Sequence, residues 1–197
     1  LSGKTSVGKA EKIGAYVGFN VKAEEKILVK AASSFVSLDG AEKNLNAEIP
    51  GWNFDEIHTR LSQAWEQHLA KIKVQGSPKE MRKFYGAFYR TSFLPHVFND
   101  VDGAYPAFSK GTPVCFVKNG DYYEDFSMWD TYRALHPLLT IIDTKRDGDM
   151  VRSLVDKYNQ GGWLPIFPCW NSYTAAMIGD HSISVIGDAI MKGIKGF

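Results

Sequence analysis

From Phe54 onward, apolar positions recur at helical spacing: Phe54, Ile57, Leu61, Ala64, Trp65, Leu69 and Ile72 share one face, with polar residues between them. Asn53 precedes the run and Glu56 follows it by three, an amino-terminal cap that predicts a helix starting here. In "SPKE" at 77–80, Ser77 takes a cap position, Pro78 the first helical position and Glu80 the third. Met81, Phe84, Tyr85 and Phe88 then line one face, so a second helix should run toward Pro95. Farther on, the pattern predicts a helix over 128–142 kinked or shortened by Pro137, and another over 147–159 ending at Gly161 and Gly162. A last helix, over 176–195, carries Ile183, Val185, Ile186, Ile190 and Ile194, with Gly179, Gly187 and Gly193 working against it.

The beginning of the chain follows another rule. Residues 13–21 and 27–37 are rich in β-branched and aromatic residues and are joined by the charged turn "KAEEK", which predicts two paired strands. A lone hairpin is marginal in water, so the pair reads as the end of a sheet that began upstream. A short helix and a turn should fill 38–52, where the boundary between strands and helices falls. Residues 99–123, with glycines, prolines and "VCFV", predict a loop carrying a small hairpin.

Composition narrows the function classes. A chain of 197 residues, 44% apolar and 23% charged, is an ordinary globular protein able to bury a core without disulfides or metals. Its net charge is +1, and lysines such as Lys79, Lys83, Lys145 and Lys157 are dispersed among acids, which leaves no basic field for a nucleic acid. The longest aliphatic stretch, "LLTII" at 138–142, is far short of the ~20 residues that span a bilayer. Cys115 and Cys169 allow at most one bridge, not a disulfide framework or a four-thiolate zinc site. The sequence opens on Leu1 and carries no signal peptide, as expected of a piece that begins partway through a longer product.

Two motifs fail on inspection. "GKTSVGKA" at 3–10 nearly makes a phosphate-cradling loop, yet Ala10 stands where a metal-binding hydroxyl is required and no strand precedes it. "DTKRDGDMVRSL" at 143–154 has Asp147 and Gly148 in register with a calcium loop, but Lys145 and Leu154 replace two ligands. His58, His68, His96 and His136 have no ligand spacing.

The stretch "YYEDFSMWDTYRALHPLL" at 122–139 carries more. Ser127 and Asp130 are spaced as a capping box and Arg133 can pair with Asp130 one turn later, worth about 1 kcal/mol without any ligand. That does not account for Tyr122, Tyr123, Phe126, Trp129 and Tyr132 crowding the same place. Nor does it account for a second polar cluster, "MIGDHS" with Asp180 and His181, after the aromatic-rich "GGWLPIFPCWNSY". A sugar suits both, its apolar face on rings and its hydroxyls on carboxylate, guanidinium or imidazole. Residue chemistry alone leaves core packing and sugar binding both open.

The runs "GAEKNLNAEIPGWNFD", "FYGAFYRTSFLPHVFNDVDGAY", "DFSMWDTYRALHPLLTII", "GGWLP" and "TAAMIGDHSISVIGDAIMKGI", in this order over about 38–197, closely resemble the family 92 glycoside hydrolases, calcium-dependent exo-acting α-mannosidases. The resemblance implies a mainly α fold, the first part of an (α/α) six-hairpin toroid over 38–197, preceded over 1–37 by the terminal strands of an N-terminal β-sandwich. It implies that Trp129, Asp130 and Arg133 of "WDTYR" and Asp180 and His181 of "GDH" face the terminal mannose of a glycan. Asp130 would accept two adjacent hydroxyls while Arg133 keeps it ionised and oriented. Asp180 and His181 either add a second polar contact or cap the last helix. Glu124 and Asp125 then read as a solvated turn, and Trp163 and Trp170 as barrel wall.

By the same resemblance the family inverts configuration with an acid and a base about 6.5 to 9.5 Å apart. Those carboxylates, and most calcium ligands, are expected downstream of Phe197. The parent is then an α-mannosidase of α-1,2 type, secreted or periplasmic, and the segment alone lacks catalysis. Its open flank should meet the missing half of the barrel or another copy. A non-catalytic carbohydrate-binding or interaction fragment is the alternative, and a phosphate-binding enzyme built on "GKTSVGK" is the third.

Overall fold

The computed structural model describes residues 14, 16–108 and 110–197, so "GKTSVGKA" lies outside the described residues. Helix α1 (Leu38–Glu48) starts where the Ser37 side chain accepts from the Gly40 N–H. Helix α2 (Phe54–Leu69) starts where Asn53 accepts from Glu56 N–H. Helix α3 (Pro78–Arg90) carries the complete Ser77–Glu80 capping box. Trp65 meets Tyr89 at 4.4 Å and His68 stacks on Phe88 at 5.2 Å, so aromatic rings join α2 to α3. His68 thus sits in the α2–α3 contact, and its Nε2 also lies 2.7 Å from Ser92 Oγ.

Three two-stranded ribbons follow in the loops. Strand β1 (His96–Val97) pairs antiparallel with β4 (Tyr123–Glu124). Strands β2 (Ala104–Pro106) and β3 (Val114–Phe116) form the hairpin expected around "VCFV". Strands β5 (Pro168–Cys169) and β6 (Ser172–Tyr173) form a tight hairpin that the sequence did not announce. Cys115 on β3 and Cys169 on β5 are free thiols.

Helices α4 (Met128–Thr131), α5 (Leu135–Ile142), α6 (Thr144–Gly161) and α7 (His181–Met191) enclose the main core. Tyr123, Phe126, Met128, Leu139, Met150, Val151, Leu154, Val185, Ala189 and Ile194 fill it. The single helix expected over 128–142 is two, because Ala134 leaves helical geometry at φ −143°. Pro137 falls in the first turn of α5, where its missing N–H is not required, so it helps a helix begin rather than kinking one. Helix α6 starts earlier than expected because Asp143 accepts from Arg146 N–H, and it ends at left-handed Gly162 as the glycines indicated. Helix α7 starts later, since Ala175, Met177 and Gly179 all take positive φ, which a right-handed helix does not admit.

The expected strand pair is corrected. Ile13 and Ala15 lie outside the described residues, and no strand is present among the described residues up to Ser37. Among the described residues Tyr16, Val17 and Val29 are exposed and bury no common face, and strand propensity without a partner surface does not hold a pair together. The end of this segment is instead tied to α1 and to the loop after β1. Ser34 Oγ donates to Asp100 Oδ2 at 2.6 Å, Asn44 Nδ2 donates to Ser33 O and Asp100 Oδ1, and Phe35 stacks on Phe98 at 4.1 Å. The protein is mainly helical, and among the described residues no helix is long and apolar enough to cross a membrane.

Candidate functional site

Helix α4 is pinned from below. Phe126 and Met128 are fully buried, and Met128 Sδ lies 3.1 Å from Ser182 Oγ, at the start of α7. Ser182 also donates to Pro165 O. Above them, the rings of Tyr132 and His181 meet with centroids 4.3 Å apart. These contacts bring "WDTYR" and "GDH" to one end of the helices although about fifty residues of sequence lie between them. Trp129 is 39% exposed and Asp130, Arg133 and Asp180 are exposed, while His181 is half-buried with an Nδ1 that has no hydrogen-bond partner.

Two local expectations are corrected here. Ser127 makes no side-chain cap bond to the backbone; its hydroxyl donates to Asp130 Oδ2 at 2.6 Å. Arg133 does not pair with Asp130. The helix has already ended at Thr131, so the guanidinium turns onto the rings instead, 4.8 Å over Trp129 and 5.1 Å over Tyr132, and donates to Trp129 O at 3.0 Å. Asp180 occupies the cap position of α7, yet its side chain makes no cap bond either, which leaves its carboxylate uncommitted.

The polar centre that sequence reasoning missed lies underneath. Glu124, read as part of a solvated turn, is fully buried, and Lys157 Nζ lies 2.6 Å from its Oε2. Glu124 Oε1 accepts from Asn171 N–H at 3.0 Å. Lys157 also donates to Tyr123 O and sits 3.8 Å over the Tyr122 ring. Burial pushes Lys157 down to about 8, with the Glu124 charge opposing, and burial pushes Glu124 upward. One signal was present: Lys157 follows Met150 and Leu154 at core-face spacing on α6. A second buried pair, His136 and Asp147 at 3.8 Å, lies beside Phe126 with no hydrogen bond to any of its four nitrogen and oxygen atoms.

Trp163 and Trp170, expected in the barrel wall, are 76% and 81% exposed in this segment. Trp163, Phe167, Tyr173 and Met177 line an open, mostly apolar cleft of about 360 Å³. Among the described residues no three or more carboxylate, imidazole or thiol groups converge as a cation site.

Residues 40–197 match the glycosyl hydrolase family 92 catalytic domain. In structure the chain is similar to a family GH92 α-mannosidase of Bacteroides thetaiotaomicron, with TM-score 0.79 and 33% identity, over 83% of this chain and 22% of that one. The same mannosidase in complex with mannoimidazole matches equally well, with 21% of that chain covered. A family GH92 inverting mannosidase of Bacteroides thetaiotaomicron VPI-5482 follows with TM-score 0.74 and 30% identity, over 82% of this chain and 22% of that one. A protein of Arthroderma benhamiae described as an uncharacterized secreted glycosidase is 26% identical over 193 residues, 93% of this chain and 20% of its own length. The chain thus spans about a fifth of the length of these relatives.

Proposed function

The chain belongs to glycosyl hydrolase family 92, and from this membership we propose that it is part of the catalytic domain of an inverting exo-α-mannosidase, and that the ends of α4 and α7 build part of its pocket for a terminal mannose. The observation that carries this reading is the Tyr132–His181 contact, which gathers two separate polar motifs beside an exposed indole. In the proposed site Arg133 backs the Trp129 ring, and the exposed face of that ring receives the apolar side of the sugar. Ser127 occupies one acceptor site of Asp130, leaving about three for a pair of sugar hydroxyls. Asp180 and His181 add an acceptor and an imidazole from the other side.

Inversion needs a carboxylic acid to protonate the leaving oxygen and a carboxylate to activate water, about 6.5 to 9.5 Å apart. Both are assigned to the remainder of the parent protein, as are most calcium ligands, so the segment contributes binding rather than turnover. We further assign an α-1,2 linkage and a secreted or periplasmic parent. Exposed apolar residues on α5 and α7, Ile141, Ile183, Ile190 and Met191, support completion of an (α/α) toroid by further helices. An N-terminal β-sandwich, ending within 1–37, belongs to the same proposal.

The test is Asp130→Ala in the complete parent protein. Release of mannose from α-mannosides should be almost abolished with the melting temperature unchanged, and unaltered turnover would remove Asp130 from the site. A parent that binds glycans without releasing mannose would instead favour a carbohydrate-binding role.

A further inference from the structure

Trp170 and Asn171 are the two turn residues of the β5–β6 hairpin, in which Cys169 faces Ser172. Both have positive φ, 53° and 55°. A two-residue hairpin favours left-handed backbone at both positions, and Asn or Gly ordinarily supplies it. A bulky indole there is an outlier that persists only where the surroundings over-determine it. Here they do. Trp170 N–H donates to Asp125 Oδ1 at 3.2 Å and Asn171 N–H to Glu124 Oε1 at 3.0 Å. Asn171 Nδ2 donates to Pro106 O and Ala107 O at 2.8 and 2.9 Å. Glu124 is itself locked by Lys157. Yet the ring presented by all these bonds is 81% exposed, so packing of the indole is not what holds the turn.

We propose that Trp170 is a specificity-determining residue whose indole stacks on the sugar next to the terminal mannose, on the leaving-group side. This rests on the reading that the ends of α4 and α7 hold that mannose. Phe126 N–H donates to Pro168 O at 3.2 Å, which ties β5 to the residues leading directly into α4. Asp125, which holds Trp170, is on that same stretch, with its other oxygen 3.2 Å from His96 Nδ1. The turn therefore stands beside the start of the "WDTYR" helix. What it offers there is a broad, exposed apolar face, while the two carboxylates that hold the turn's backbone are engaged by His96 and Lys157, and such a face matches the C–H side of a pyranose.

The experiment compares the complete parent with its Trp170→Ala, Trp170→Gly and Trp170→Phe variants on an α-mannobioside and on α-mannosyl fluoride, whose leaving group has no ring to stack. With Ala or Gly, kcat/KM for the mannobioside should fall about tenfold or more, chiefly through KM, with the fluoride unaffected and Phe recovering part of the loss. Trp170→Gly should keep or raise the melting temperature, because glycine accepts the positive φ without strain. Equal loss on both substrates, no loss on the mannobioside, or a lowered melting temperature with Gly overturns the proposal, the last because the ring would then be covered by the protein itself. A wild-type parent that hydrolyses neither substrate overturns the mannosidase reading, and this proposal with it.

Discussion

Lys157 Nζ lies 2.6 Å from Glu124 Oε2, and neither side chain has any exposure to solvent. The pair fastens α6 to β4, and through the second Glu124 oxygen it fastens the β5–β6 turn as well. Rings of Tyr122, Phe126 and Phe108 surround the ammonium at 3.8, 5.5 and 5.6 Å. Three elements around the candidate site thus depend on two charges, one of which, Glu124, the sequence suggested to be part of a solvated turn.

Breaking that pair from one side strands a buried charge. Lys157→Met should cost about 3 to 5 kcal/mol, because Glu124, whose side chain has no solvent exposure, is then left without its cation. Lys157→Met combined with Glu124→Gln should recover most of this, since the Gln carbonyl still accepts from Asn171 N–H and no buried charge is left. Denaturant unfolding of the two single variants and the double variant measures the coupling. A double variant as unstable as the sum of the singles would show that the charges do not act as a pair.

The same pair sets a pH dependence. Burial holds folded Lys157 at about 8 against its ordinary 10.5, so between these values the unfolded chain binds more protons than the folded one. Stability from this residue therefore rises as pH climbs from about 8 toward 10.5. Tyr105, pushed up to about 12 by burial, acts oppositely above pH 10, where an unfolded tyrosine ionises first. Melting temperatures of wild type and Lys157→Met from pH 7 to 10 isolate the lysine: the variant should lack the upward contribution. Parallel curves would contradict it.

Ser127 separates capping from ligand orientation. A helix cap lost to Ala costs about 1 kcal/mol of stability. Here the hydroxyl bonds only the Asp130 carboxylate, at 2.6 Å, and caps nothing. Ser127→Ala should therefore leave the melting temperature of the parent unchanged while lowering kcat/KM for an α-mannoside about tenfold, as Asp130 loses one fixed contact. The opposite result, a stability loss with full activity, would return Ser127 and Asp130 to the role of a helix end.

What could be read in the sequence was local. Asn53, the Ser77–Glu80 box and Gly162 act on their own turns, and each lies where residue spacing indicated. Ala134 and the run from Ala175 to Gly179 break helices without a proline, and only Gly179 carries any composition signal. An Arg133–Asp130 pair needs a continuous helix, and α4 ends at Thr131, two residues before Arg133. The Glu124–Lys157 pair joins positions 33 residues apart, and a single sequence does not show which distant charges meet. The β-branched runs before Ser37 have strand propensity, but propensity acts only against a partner surface. The motifs "WDTYR" and "GDH" were recognisable as polar clusters among rings, whereas their meeting through Tyr132 and His181 is a product of packing between α4 and α7.

Gly179 and Gly162 have nearly the same backbone, φ 86° and 88°, and different surroundings. A Cβ at Gly162 would meet open space, whereas one at Gly179 would overlap the His181 imidazole. Gly162→Ala therefore measures the left-handed penalty alone, about 1 kcal/mol. Gly179→Ala carries the same penalty and in addition drives the imidazole out of its place against Tyr132. In the complete parent both variants should lose stability, Gly179→Ala the more, while only Gly179→Ala should lower mannoside kcat/KM, by about tenfold or more. Titrating the His181 ring by NMR in both variants provides the independent readout, because its chemical shifts should move only where the ring is displaced. Equal activity in the two variants would mean that His181 is not a contact of the sugar.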